Sequence, residues 1–195
     1  MRGRRWRGVL ASFLDPLTYF QVARLLHYYS YTHVRPRRLV TMGAGATLAP
    51  NVSLRNGERI AIGARSKIGE RAYLWAGDAS GRVTIGEDCR LGPEVFVTAS
   101  DYGLAPDEKI SQQTRNERDV VIGNDVWLGA RVFVAAGVTI GDGCVVSAGS
   151  VVSKSLPPGS VAVGIPARIV RRREDYAAKE EESRQAGGAE VEAPV

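Results

Sequence analysis

Residues 121–154 read VIGNDVWLGARVFVAAGVTIGDGCVVSAGSVVSK, and from Ile122 they step in sixes. Ile122-Gly123, Leu128-Gly129, Val134-Ala135, Ile140-Gly141, Val146-Ser147 and Val152-Ser153 are aliphatic–small pairs. Four residues into the first five units stand Val126, Val132, Val138, Cys144 and Ser150, all small or β-branched. The same register runs upstream through Met42, Leu48, Leu54, then Ile62, Ile68, Leu74, then Ile85, Leu91, Val97. The extra residues fall after every third unit, so three hexads form one triangular coil, with an aliphatic residue pointing inward from each flat face. The predicted coils are 42–59, 62–79, 85–102, 122–139 and 140–157. Stacked coils share one continuous, quasi-one-dimensional core. Every insertion should leave the prism at the same edge.

Composition agrees. Glycine is abundant, with 22 residues spread along the 195-residue chain, as many short turns between small strands require. Cys89 and Cys144 fall on inward small positions, which makes them core residues rather than reactive ones. Two cysteines form neither a disulfide framework nor metal-ligand spacing. Net charge is +5, with arginines gathered at residues 2–7, 35–38 and 168–173. No aromatic-interleaved basic stripe accompanies them, so nucleic acid is not an expected partner.

The pattern [LIV]-G-x-x-[AVSC]-x resembles the left-handed parallel β-helix acyltransferases, the hexapeptide-repeat transferases. The resemblance covers about 42–171. It is strongest over Val121–Gly129, over Gly149-Ser150-Val151-Val152-Ser153-Lys154 and at Gly164-Ile165-Pro166-Ala167-Arg168. Those runs are similar to the galactoside, maltose and exopolysaccharide O-acetyltransferases. The left hand comes from this resemblance alone, since parallel crossovers are otherwise right-handed.

The resemblance implies an all-β domain over 39–170 that acetylates a sugar or polysaccharide-precursor hydroxyl with acetyl-CoA as co-substrate and no metal. It also implies a homotrimer, with the coenzyme in the groove between subunits and loop 98–119 arching over it. The family's coenzyme positions fall on Ala130, Ala148, Ser153, Lys154, Arg168 and Arg171. Alanines give an acyl-carrying arm clearance, and the cations can meet phosphate.

Acetyl transfer to a hydroxyl needs a general base, which the family supplies as a histidine at the start of the long loop. Here that place reads Ala99-Ser100-Asp101-Tyr102-Gly103, and Ser100 and Tyr102 stand at the two candidate histidine positions. Asp101, with Tyr102, is the candidate substitute. His33, one of only two histidines, is an alternative that would have to fold over from the N-terminal segment. A non-catalytic scaffold, or a relative that binds coenzyme or sugar within a glycan-assembly complex, is the alternative function. In it Trp127 or the loop would plug the groove. The zinc-binding carbonic-anhydrase-like branch is excluded, because its three coil histidines are missing. Acceptor specificity would come from the loop, where Gln112, Gln113, Arg115 and Asn116 can hydrogen-bond a sugar.

Segment 1–38 is basic and holds a helix from Pro16 to about Tyr31, with Asp15 as N-cap. That helix either caps the open end of the coils or lies on an anionic membrane. Segment 171–195 is expected as a charged helix to about Arg184 and then a disordered tail. With no spanning stretch and no cleavage site after Leu14, the expected location is cytoplasmic, with peripheral contact at the inner face of the membrane.

Overall fold

The computed structural model describes Phe13 and residues 15–175. Its body is a parallel β-helix of five triangular coils, as the six-residue period requires. Face A stacks β1 (Thr41–Met42), β4 (Ile60–Ile62), β7 (Val83–Ile85), β12 (Val120–Ile122) and β15 (Thr139–Ile140). Face B stacks β2 (Thr47–Leu48), β5 (Lys67–Ile68), β8 (Arg90–Leu91), β13 (Trp127–Leu128), β16 (Val145–Val146) and β18 (Ser160–Val163). Face C stacks β3 (Ser53–Arg55), β6 (Tyr73–Trp75), β9 (Phe96–Thr98), β14 (Phe133–Val134) and β17 (Val151–Val152). Ile62, Ile85, Ile122 and Ile140 pair in register up face A, and all four are buried.

The glycine after each face A strand has a specific cause. Coils sit one strand spacing apart, about 4.8 Å, and at this corner the backbones leave no room for a side chain. A Cβ on Gly86 would lie 2.5 Å from the Gly123 carbonyl oxygen of the next coil. Gly43, Gly63 and Gly123 meet the coil above in the same way, while Gly141 meets Pro158. Two residues further on, the chain turns through left-handed backbone, even at Arg65, Asp88 and Asp125 along one edge and Arg71, Glu94 and Arg131 along the next. Because these turns stack, their side chains meet. Arg65 pairs with Asp88 at 2.7 Å, and Glu94 lies between Arg71 (2.7 Å) and Arg131 (2.6 Å). These are exposed pairs of small individual worth. Along the Arg71–Glu94–Arg131 column the sign alternates, whereas Asp125, above Asp88, pairs with Arg173 instead.

Cys89 and Cys144 are buried inside the coils, and burial pushes both thiols up. The thiols donate to the carbonyls of Gly123 and Pro157.

At the N-terminal end, α1 (Pro16–Tyr29) follows its Asp15 cap, whose carboxylate accepts from the Leu17 amide at 2.9 Å. It does not cap the coils: Asp15 to Tyr31 are all exposed. Covering falls to the π-turn Ser30–Val34 and the 3₁₀ turn Pro36–Arg38, which contact β3. Arg37 donates to the carbonyls of Leu48, Ala49 and Pro50, pairing acceptors of the first coil that have no coil beneath. At the other end, β19 (Arg168–Arg172) turns back antiparallel onto β18 and carries strand structure past residue 170. Glu174 and Asp175 start a helical turn. The remainder of the expected C-terminal helix and tail, 176–195, lies outside the described residues.

All the insertions leave at the edge between faces C and A, where they stack and hold one another. Asn56 in the first donates to the Gly77 carbonyl of the second at 2.8 Å. In the third, the long loop begins with β10 (Ser100–Asp101), paired antiparallel with β11 (Asn116–Glu117). Glu117 then reaches the second loop, where its carboxylate accepts from the backbone N–H groups of Asp78, Ala79, Ser80 and Gly81 at 2.5–3.1 Å. These donors, led by Gly81 and Ser80, hold its pKa down at about 2.

Gly86→Ala should lower the thermal unfolding midpoint, at a cost of about 1–3 kcal/mol from the forced coil separation. An unchanged midpoint in a calorimetric scan would show that the corner has slack. Glu117→Ala should free the amides of residues 78–81 to exchange with deuterium while the coil amides stay protected. Because the folded-state pKa of Glu117 lies below its ordinary 4.5, its anchoring is complete above pH 4.5 and is lost as pH falls through about 2. Protection at 78–81 that survives in the alanine variant would rule out the carboxylate as the anchor.

Candidate active site

The sequence-derived site residues form two groups on opposite edges of face C. Ala130 and Ala148 stack at the B–C edge, where the Gly149 amide donates to the Ala130 carbonyl at 2.8 Å. The turn 164–167 continues this column: the Gly164 carbonyl accepts from the Val151 amide, and the Ala167 amide donates to the Val151 carbonyl. Arg168 follows directly, paired with Val163 across the β18–β19 ladder. Ala148 and Arg168 are exposed. Arg171 lies further along β19, opposite Val161 and away from this corner.

Ser153 and Lys154, both exposed, follow β17 at the C–A edge. Two coils below, the long loop leaves the same edge, carrying Ser100, Asp101 and Tyr102. The chain therefore presents an alanine-lined corner with Arg168 on one edge of face C, and Lys154 with the loop on the other. Between them, face C bears an outward file of Tyr73, Phe96 and Phe133, with neighbouring ring centroids 5.5 and 5.3 Å apart.

The neck of the loop is dense in polar contacts. The Ser100 hydroxyl is buried and has no hydrogen-bond partner among the described residues. Asp101 pairs with Arg118 at 3.3 Å. Arg115 lies over the Tyr102 ring, 4.6 Å from its centroid, and donates to the phenol oxygen at 3.2 Å. Its other side approaches Asp78 at 3.7 Å. Asp78, Ser80, Thr114, Arg115, Asn116 and Arg118 line an open cleft of about 810 Å³ between the second and third insertions.

Of the four loop residues expected to meet an acceptor, Gln113 is committed elsewhere. Its amide bridges the backbone of Ala105 and the carbonyl of Glu108, so it shapes the loop. Arg118 was not singled out from sequence, because only the β10–β11 pairing brings it to Asp101. His33 stacks on Tyr29 at 4.4 Å, and burial and Arg37 lower its pKa. It belongs to the turn beneath the first coil, whereas Asp101 leaves the third. Trp127 stands on face B and is 47% exposed. No group of metal-binding side chains occurs among the described residues.

Comparisons agree with the fold. The bacterial transferase hexapeptide model, of six repeats, matches residues 119–154. A comparison with curated protein sequences finds no match. Among solved structures, a hexapeptide-repeat acetyltransferase from Vibrio cholerae is 31% identical, with 70% of this chain and 76% of that one covered and a TM-score of 0.64. The Vibrio cholerae O1 biovar eltor structure in complex with acetyl-CoA is 30% identical, covering 70% and 73%, with a TM-score of 0.63. A galactoside acetyltransferase in complex with coenzyme A is 28% identical over 77% and 78%, with a TM-score of 0.67. Five coils in register and 31% identity over most of both chains lead to one assignment: the protein belongs to the hexapeptide-repeat acetyltransferases, with their left-handed β-helix, and is an acyltransferase.

Proposed function

We propose that the enzyme transfers the acetyl group of acetyl-CoA to a hydroxyl of a sugar or polysaccharide precursor, as a homotrimer. The observation that carries the reading is the division of the site between the two edges of face C. Ala130, Ala148 and Arg168 lie on one edge, and Lys154 with the Asp101–Tyr102 neck on the other. A three-fold ring brings one edge of each subunit to the opposite edge of the next, which completes the groove without moving either. The acetyl-CoA complex of the Vibrio cholerae relative and the coenzyme A complex of the galactoside enzyme support the choice of co-substrate. A maltose O-acetyltransferase from Clostridium difficile 630, 29% identical with 70% of this chain and 72% of that one covered and a TM-score of 0.59, supports a sugar acceptor. The setting that fits is glycan assembly in the cytoplasm, at the inner face of the membrane.

In this reading Ala130 and Ala148 give the acyl-carrying arm clearance and backbone groups, while Lys154, with Ser153 beside it, and Arg168 meet the phosphates, and Arg171 stands further along β19. The acceptor sits in the cleft by Arg115 and Asn116. Its hydroxyl oxygen bonds to the thioester carbonyl carbon, the carbon–sulfur bond breaks, and coenzyme A leaves as the thiolate, which then receives the proton taken from the hydroxyl. Asp101 takes the hydroxyl proton, held in place by Arg118, with Tyr102 fixed by Arg115 alongside. Carboxylates are in general weaker bases than imidazole, with ordinary pKa values of about 3.9 and about 6.5, so slow turnover is expected.

Calorimetric titration with acetyl-CoA should give micromolar binding that the Lys154→Ala/Arg168→Ala double variant loses. No heat at millimolar coenzyme would remove the transferase reading. With a panel of sugar acceptors, Ser100→His should raise kcat by about 10²-fold or more, the usual worth of a well-placed general base. Asp101→Asn should lower the wild-type rate. If neither substitution changes kcat, the proton goes to a group other than those on the loop neck.

A further inference from the structure

We infer that α1 is a membrane-surface anchor, embedding its apolar sides among the headgroups and upper acyl chains of an anionic phospholipid bilayer. The inference rests on the peripheral placement just proposed, and it names the segment, the lipid charge and the mode of contact.

The first ground is exposure. Leu17, Phe20 and Tyr28 lie along one side of the helix, with Tyr19, Val22, Leu26 and Tyr29 on the opposite side. These seven side chains are 47–71% exposed. A helix apolar on both sides is normally enclosed by protein or lipid. Its main neighbour among the described elements is the π-turn that follows it, and the coils are covered by that turn and by Pro36–Arg38 instead. The helix is thus surplus to the core.

The second ground is charge. Residues 1–57 contain nine arginines and a single acid, Asp15, a net +8, whereas the remaining 138 residues carry a net −3. Arg24, Arg35 and Arg38 are exposed beside the helix, while Arg37 is occupied by the first coil. Basic residues flanking an apolar helix are attracted to anionic leaflets. Four of the chain's seven tyrosines fall between Tyr19 and Tyr31, and tyrosine favours the membrane–water boundary.

Length limits the mode of contact. The 14-residue helix extends about 21 Å, short of the ~30 Å hydrocarbon core. No helix among the described residues is long and apolar enough to cross a membrane. So short a rod suits shallow burial rather than a crossing.

The test is co-sedimentation of the full-length protein with phosphatidylcholine–phosphatidylglycerol vesicles, beside pure phosphatidylcholine vesicles. The protein should pellet with the anionic vesicles, and less so as salt rises. Phe20→Ser/Leu25→Ser/Leu26→Ser should weaken binding by at least about tenfold, and Arg24→Glu/Arg38→Glu should do the same through charge. These side chains are exposed, so circular dichroism of both variants should match the wild type. Wild-type protein that stays in solution with anionic vesicles would overturn the inference, as would serine variants that pellet equally. A serine variant that lowers the oligomeric mass in sedimentation velocity would also overturn it, by showing that α1 packs on a second copy of the chain. Sedimentation needs no acetyl-CoA, so an inactive transferase site would leave this result standing.

Discussion

The backbone ladder between successive coils is the constraint on which everything else depends. Parallel hydrogen bonds hold each coil one strand spacing above the last, and that spacing removes all room for a Cβ where Gly86 faces Gly123. The same spacing brings equivalent positions of different coils into contact. Inward positions therefore form columns of Ile, Leu and Val, and the left-handed corner residues form columns of arginine and carboxylate. Extra residues are accommodated only where they can leave the prism, and here that is always the C–A edge.

What depends on the period was legible in the sequence. The five coils, the inward residues, the insertion edge and the cysteine positions all follow from counting in sixes, because side-chain direction in a short strand follows its place in the unit. The Asp15 cap is equally local and formed as expected. What depends on neighbouring coils was not legible. Glu117 meets amides nearly forty positions earlier, and Arg118 finds Asp101 only through the β10–β11 pairing. The role of α1 was half legible. Its apolar content is plain, but the sequence does not say that the following turn, with Arg37, already closes the coil end.

Of the six positions the motif match offered for a coenzyme, the structure brings Ala130, Ala148 and Arg168 to one corner, a grouping the motifs did not give. The same motifs could not say that Ser153 and Lys154 occupy the opposite edge of face C, since that depends on which corner of the triangle each hexad ends at. Nor could they separate loop-shaping residues from acceptor-facing ones. Gln113 and Asn116 are alike in chemistry, yet one is spent on the Ala105 backbone while the other lines the open cleft.

The long insertion also bears on how the chain assembles. Ile122 and Ile140 become neighbours across 18 residues, whereas Ile85 and Ile122 do so across 37. A doubled span adds only about 0.6 kcal/mol of closure entropy, but it falls on a single joint in an otherwise even series. In a solenoid, where folding nucleates locally and spreads between neighbours, that joint divides the coils into a lower three and an upper two. Glu117, bound to the insertion below, closes most of that span itself. The carboxylate that shapes the loop is thus also the clasp that lets the upper coils add in register.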